Sequence, residues 1–415
     1  MRPQHYKTGF APMKHRIQLF VFVFLSFALL PLTSYANDEP PGVKALLDSV
    51  AKQYQGMGSE RPTYGSIDLD GSGGATLNDV QWSLKQPEVE GKFKISKVVI
   101  SGVSQRASGA YSFKSISSEN ITMTMDLPDV GPMVISIPSA TSSNIHILPE
   151  QSADGMDYSA FLGVAVYETS SVPLIRLTIA GQSFDAKNFT TKWQGDPETG
   201  FGKWDISLQN VVVPVSAFPE EDFQRDMKEE FGIEQFDLAL DASAAVSGQD
   251  KKLNIAYGLR FTGKQIGDFE FAFAGQDIPG ELANVLKEMQ AGNEPSMGQL
   301  MPLVMGIKFN KLKMRFVDDD FTAKALAFAA KIEGTTVDDM TANGAAALRI
   351  GLMQLNMPEF SKKVIDAYNT FVKDPKNISV EASPAAPVAI ATMMGMMMAP
   401  AMAIKTLGVK VEANK

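Results

Sequence analysis

Phe93 and Ile95, then Ile121, Met123 and Met125, then Leu253, Ile255, Tyr257, Leu259 and Phe261, then Phe269, Phe271 and Phe273 fall on every second position. Lys, Ser, Thr and Asn occur between them. A period of two puts such side chains on one face of a strand and their neighbours on the other. Repeated across residues 93–316 and punctuated by Gly, Pro and Asp, the pattern predicts a long, curved, mostly antiparallel sheet. The alternation slips between Phe309 and Leu312, which predicts a bulge.

Periods of three and four flank the sheet. Val43, Leu46, Leu47, Val50 and Tyr54 predict a short amphipathic helix over 41–54. The acidic stretch 219–230 predicts a surface helix, and 148–172 reads as a loop or crossover. Composition changes after Gly275. Helices are expected over about 279–289, 321–332, 337–355 and 358–372, with strands over 307–317, 377–382 and 409–413. The fold class is α+β, a long curved sheet followed by a C-terminal helical region with a few strands. It divides into a helix-plus-sheet domain over 37–275 and an α+β region over 276–415 packing on the sheet.

The N-terminus changes the compartment. Lys14, His15 and Arg16 precede an uncharged run over 17–32, and Ser34 and Ala36 supply the small residues of a signal peptidase site. Residues 1–36 read as a signal peptide cleaved after Ala36, with Met1 and Met13 both available as starts. The expected location is the periplasm of a cell envelope. A chain without cysteine has no disulfide, thiol nucleophile, Cys-ligated zinc or acylated N-terminal cysteine. Removing Arg2, Lys7, Lys14 and Arg16 from the 38 basic residues leaves 34 against 47 acidic, a formal charge of −13. That balance repels phosphate backbones and argues against nucleic-acid binding, and it disfavours attraction to an anionic lipid surface by charge alone.

Candidate chemistry is sparse. Asp68, Asp70, Ser72, Thr76 and Asp79 stand at calcium-loop spacing, and Asp68, Asp70 and Asp79 are the candidate metal ligands. Yet Ala75 stands where the loop needs a larger apolar residue and the flanks alternate like strands, so a glycine-rich hairpin turn accounts for the same residues. Ser49 and Lys52 form an S-x-x-K on the first helix without its usual companions. His146 stands alone between Ile145 and Ile147. Asp318, Asp319 and Asp320 precede an apolar-periodic helix, where carboxylates cap exposed amides, although clustered carboxylates also suit a cation. The uncharged stretch 383–404 is long enough to span a bilayer, but its prolines and its Ala, Gly and Met content favour an adaptable helix buried against the sheet.

The strand-to-helix unit Leu312-Lys313-Met314-Arg315-Phe316-Val317-Asp318-Asp319-Asp320-Phe321 follows many amphipathic strands and leads to the closing strand Gly408-Val409-Lys410-Val411-Glu412-Ala413-Asn414. In an exported, cysteine-free chain this order resembles uncharacterised Gram-negative envelope proteins of the YdgA and AsmA-like type, over about residues 90–410. The resemblance implies a β-groove that handles lipids and carries over no catalytic residue or cofactor. The first functional expectation is therefore a non-enzymatic binder of a lipid or other amphiphile. Its candidate lining is Phe269, Phe271, Phe273, Met393, Met394 and Met397. The alternatives are an envelope scaffold with a filled core, meeting a protein partner, and a carboxylate-dependent hydrolase.

Overall fold

A computed structural model of the chain describes residues 39–54, 61–86, 89–127, 131–149, 162–179, 181–218, 220–290, 295–396 and 398–415. The export signal expected over 1–36 and its cleavage point at Ala36 lie outside the described residues, as does Met397. One sheet of 16 strands organises the rest. Its first nine strands are β1 (Ser66–Leu69), β2 (Ala75–Gln86), β3 (Val89–Ser101), β4 (Ser104–Gln105), β5 (Tyr111–Leu127), β6 (Gly131–Ile147), β7 (Ala165–Ile179), β8 (Gln182–Gly195) and β9 (Gly202–Pro214). The remaining seven are β10 (Gln235–Gln249), β11 (Lys252–Gly263), β12 (Gly267–Pro279), β13 (Lys308–Asp318), β14 (Asn377–Ala382), β15 (Val388–Ala389) and β16 (Lys410–Ala413). All pairings are antiparallel, and apart from short β4 and β15 each strand lies beside its sequence neighbours.

Nine helices accompany the strands among the described residues. They are α1 (Pro41–Tyr54), α2 (Glu221–Glu229), α3 (Leu282–Gln290), α4 (Met297–Met305), α5 (Phe321–Glu333), α6 (Val337–Met353), α7 (Pro358–Lys373), α8 (Ile390–Met396) and α9 (Pro400–Thr406). The α+β architecture is as the patterning predicts. The composition break at Gly275 falls within β12, and the sheet runs on across it, because β13 pairs with β12 from Lys308 to Asp318. Two expectations change. The crossover expected over 148–172 gives way to strand from Ala165, whose Val166, Ser170 and Val172 are buried. The buried helix expected over 383–404 is two short helices instead, because Pro400 lacks the amide that would continue α8 and instead opens α9 at its first turn.

The sheet bends along a crease that crosses β2, β3 and β5 to β9. On this line stand Asp79, Ser96, Asn120, Pro138, Pro173, Asn188 and Asn210, where cross-strand pairing is skipped or shifted. Asp79, Asn120, Asn188 and Asn210 adopt left-handed φ of 53°, 52°, 58° and 55°. Asp and Asn tolerate that region best after glycine, and proline needs no ladder partner for its nitrogen. Each interruption shifts the pleat by one residue, so the inward positions on either side are three apart. Leu77 and Val80, Ile95 and Val98, Ile137 and Ala140, and Val172 and Ile175 are all buried pairs of this kind. The strands thus turn a corner while keeping one face inward. At Asn120, a β-branched residue in the left-handed region costs about 1–2 kcal/mol. Asn120→Val is accordingly expected to lower the urea midpoint, whereas Asn120→Gly leaves it near the parent value.

Inside the bend sits α1, packed against β5 and β6. Val43, Leu46 and Leu47 have no exposed surface and join one core cluster with Leu77, Ile100, Phe113, Ile145 and Phe189. Trp82 and Phe93 stack across β2 and β3 at 4.3 Å between ring centres. Arg61 fastens the helix from outside, through Asp48 at 2.9 Å and Glu39 at 3.1 Å. Further along the chain a second cluster joins Leu253 and Ile278 to Leu162. A third joins Val215, Phe231 and Ile233 to Phe321 and Phe328 of α5.

Candidate functional site

From β10 onward the cross-strand registers stack apolar side chains in three rows. One runs Leu240, Phe261, Phe269, Phe316, Ile378. The next runs Ala242, Leu259, Phe271, Met314, Val380, Val411. The last runs Ala244, Tyr257, Phe273, Leu312, Ala382. Unlike the inward face of β2 to β8, this face is only partly covered. Phe269 keeps 36% of its surface, Met314 42% and Val380 43%.

Helices border the face on two sides. α7 lies against β14 and β16, its Phe371 edge-on to Phe316 at 6.3 Å. α4 touches β12, while Phe309, tilted at 6.4 Å from Phe273, pairs with Val388. The bulge expected between Phe309 and Leu312 is present, because Ala274 pairs with Lys311 and Gly275 with Phe309, leaving Asn310 out of the ladder. The arrangement is an apolar strip about five strands wide, walled by helices and open at Phe261 and Phe269 of the first row and at Met314 and Val380 of the middle row.

The structure therefore sets Phe269, Phe271 and Phe273 side by side on one partly covered face. Met393 and Met394 lie on α8, beyond the Phe309 border, with Met393 half-buried and Met394 exposed.

The opposite face is polar. Ser207, Asp241, Arg260, Glu270, Arg315, Ser379 and Glu412 form one continuous cross-strand row. Within the row Arg315 pairs with Glu270 at 3.6 Å, and neighbouring charges engage the rest, Asp268 on Arg260 and Lys313 on Glu270 at 3.8 Å. Two open hollows lie on this side. One, of about 670 Å3, includes Asp237, Thr262 and Asp268 in its wall, and the other, of about 510 Å3, includes Asp241, Arg260 and Glu270. Alternation in the sequence marks the polar side of each strand but carries no sign of these hollows, which depend on the curvature.

The carboxylates singled out by sequence do not converge. Asp70 accepts from the Ser72 and Gly74 amides at 2.8 and 2.9 Å, bonds that hold its pKa below the usual value, and Asp68 accepts from Asn78 at 3.2 Å. Leu69 pairs with Ala75, so 66–78 is a hairpin. Asp79 sits apart on the crease. Asp318 accepts from the Thr322 amide at 2.8 Å and so caps α5. Asp319 accepts from the Gln265 amide at 2.7 Å, and Asp320 takes a left-handed φ of 63°. Among the described residues no three His, Asp or Glu side chains form a group able to hold a metal ion. Ser49 donates to the Leu46 carbonyl at 2.6 Å within its own helix.

His146 has a neighbour that its sequence does not reveal. It lies opposite Ser112 across the β5–β6 ladder, and Ser112 Oγ and His146 Nδ1 share a hydrogen bond of 2.8 Å. Both nearby carboxylates are engaged elsewhere, Glu168 by Asn144 at 2.6 Å and Glu198 by Arg106 at 2.8 Å. Burial, and then the Arg106 guanidinium, hold the imidazole below its ordinary 6.5, while Glu168 and Glu198 pull the other way. The folded state binds this proton less readily than the unfolded chain does. Its contribution is full above about pH 6.5 and is lost as pH falls through the lower folded pKa. His146→Gln is therefore expected to flatten the loss of stability between about pH 7 and pH 5 in urea titrations.

Fold and site together define an α+β protein built on one creased antiparallel sheet, filled at one end and bearing an apolar strip at the other. A family model described only as an uncharacterized protein matches residues 260–414, less than half of the 415-residue chain. That match takes in the strip from Phe261 of β11 to β16 and leaves out its β10 positions and Tyr257 and Leu259. No curated protein matches the chain. No helix among the described residues is long and apolar enough to cross a membrane.

Proposed function

We propose that the protein is a non-enzymatic envelope protein that holds a lipid or other amphiphile on the apolar strip, between the filled end of the sheet and the C-terminal helices. The supporting observation is the partial exposure of Phe269, Met314 and Val380 in adjoining rows of one face. Leaving such a face in water forfeits about 25 cal/mol per Å2 of apolar surface, and contiguous exposure of this kind marks a contact surface. An extended acyl chain laid between the first and middle rows would cover Phe269, Met314 and Val380 and meet no charge, because Arg260, Glu270 and Arg315 lie on the other face. The resemblance to AsmA-like envelope proteins supports the same reading.

The test is titration of a fluorescent fatty acid against purified, delipidated protein. Saturable binding with a blue shift, displaced by unlabelled fatty acid, is the expected result. A signal no greater than that of heat-unfolded protein would sink the proposal.

A further inference from the structure

The polar face holds a third hollow beside the two already described. It encloses about 310 Å3 and is lined by nine Ser and Thr residues and Lys192. Ser142, Ser170 and Thr191 are buried, so by alternation Thr141, Ser143, Thr169, Ser171 and Thr190 turn their hydroxyls outward. Thr190 and Lys192 also line the hollow of about 510 Å3, which makes the two one trough from Ser115 of β5 to Lys313 of β13. These strands lie in sequence order, so the trough crosses eight inter-strand steps of about 4.8 Å, roughly 38 Å in all.

Floor and wall differ in kind. Ser243, Gly258 and Ala272 lie side by side on β10, β11 and β12. A Cβ at Gly258 would stand 2.8 Å from Ser243 Oγ, so the glycine keeps the floor low. The surrounding wall sets three cations, Lys192, Arg260 and Lys313, against three anions, Asp205, Asp241 and Glu270. Hydrogen bonds hold these groups in place. Ser143 and Thr169 share one of 2.5 Å across β6 and β7, and Asp241 accepts from Ser207 at 2.6 Å and from Gln209 at 3.1 Å.

This set of groups selects its ligand. A wall of balanced charge gives a charged polymer no net attraction, and the chain's charge of −9 disfavours a polyanion. A peptide strand adds at a free sheet edge, whereas β6 to β12 are paired on both sides. A sugar hydroxyl both donates and accepts, so it can bond to Ser and Thr hydroxyls, to carboxylates and to cationic donors, the charged partners giving the stronger bonds. The low floor at Gly258 and Ala272 leaves room for the flat face of a pyranose ring. One such ring is about as long as an inter-strand step, so a linear chain laid across the strands would set successive sugars over successive strands.

We propose that the trough binds a neutral, extended oligosaccharide of β-linked hexoses, with Thr190, Lys192, Asp241 and Glu270 among the groups that bond its hydroxyls. The site goes beyond the amphiphile-binding proposal and lies on the opposite face of the sheet, so either can fail alone.

The test is isothermal titration calorimetry of the full chain with cellohexaose, for which saturable binding is expected. Thr190→Val and Asp241→Asn together should weaken it at least tenfold, and so should Ala272→Tyr, which raises the floor. Neither variant should move the thermal midpoint or the affinity for fatty acid at the strip.

Absence of saturable cellohexaose binding overturns the proposal. So does an affinity unchanged in both variants, which would place the sugar elsewhere, or tighter binding of dextran sulfate than of cellohexaose, which would make the lysines an anion site. Failure of fatty acid to bind, with the cellohexaose titration intact, removes the amphiphile proposal and leaves the trough standing.

Discussion

Leu47→Ala is expected to be among the most destabilising single substitutions in the chain. Leu46 and Leu47 have no exposed surface, and they enter the bend of the sheet from a helix held from outside by Arg61. Truncating a fully buried leucine costs about 2–5 kcal/mol, the spread reflecting how far the surroundings collapse into the cavity. Collapse is hindered here, because the creased strands on either side are fixed to one another by ladder bonds. The upper half of that range is therefore expected in urea unfolding followed by tryptophan fluorescence. A loss below about 1 kcal/mol would show that α1 is peripheral to the core and would remove the account of the bend. Arg61→Ala should cost more than the about 0–1 kcal/mol of an exposed ion pair, because the Glu39 carboxylate keeps only 6% of its surface and would lose its counter-charge.

Gln at Phe269, Met314 and Val380 together is expected to have the opposite profile, a large effect on binding and a small one on folding. Fully burying such a side chain is worth about 1.5–3 kcal/mol, and these three keep more than a third of their surface in the free protein. Covering that remainder with an acyl chain yields roughly half the full value at each position, so the triple variant should lose at least tenfold in fatty-acid affinity. Its loss of stability should stay below that of Leu47→Ala. If affinity holds while stability collapses, the strip is core that the surrounding helices ought to cover, and the scaffold alternative gains. If both hold, any amphiphile binds somewhere else.

The sheet was legible because alternation is a local property. Phe269, Phe271 and Phe273 betray their common face through spacing alone, and Asn377–Ala382 carries its strand in six residues. The crease was not legible, because a shift of one residue at Asn120 or Pro138 looks the same as a weakened strand until the neighbouring strands are aligned. Helix starts were readable where chemistry marks them, as at Pro358. The helix placed over 383–404 was misread because its uncharged composition suits burial and exposure equally. That Phe271 lies on a half-open face is set by how far α4 and α7 reach across it, which no strand pattern encodes. The Ser112–His146 contact joins residues 34 apart, and only the register of two long strands brings them together.

The order of the strands also bears on how the molecule is assembled in time. From β1 to β13, leaving aside two-residue β4, each strand docks on the one made just before it, so the polypeptide can zip up hairpin by hairpin at small loop-closure cost. The one long leap is from Asp318 to Asn377, over which α5, α6 and α7 must form before β14 finds β13. That seam is where maturation should pause, with the apolar strip still lacking its border at β14.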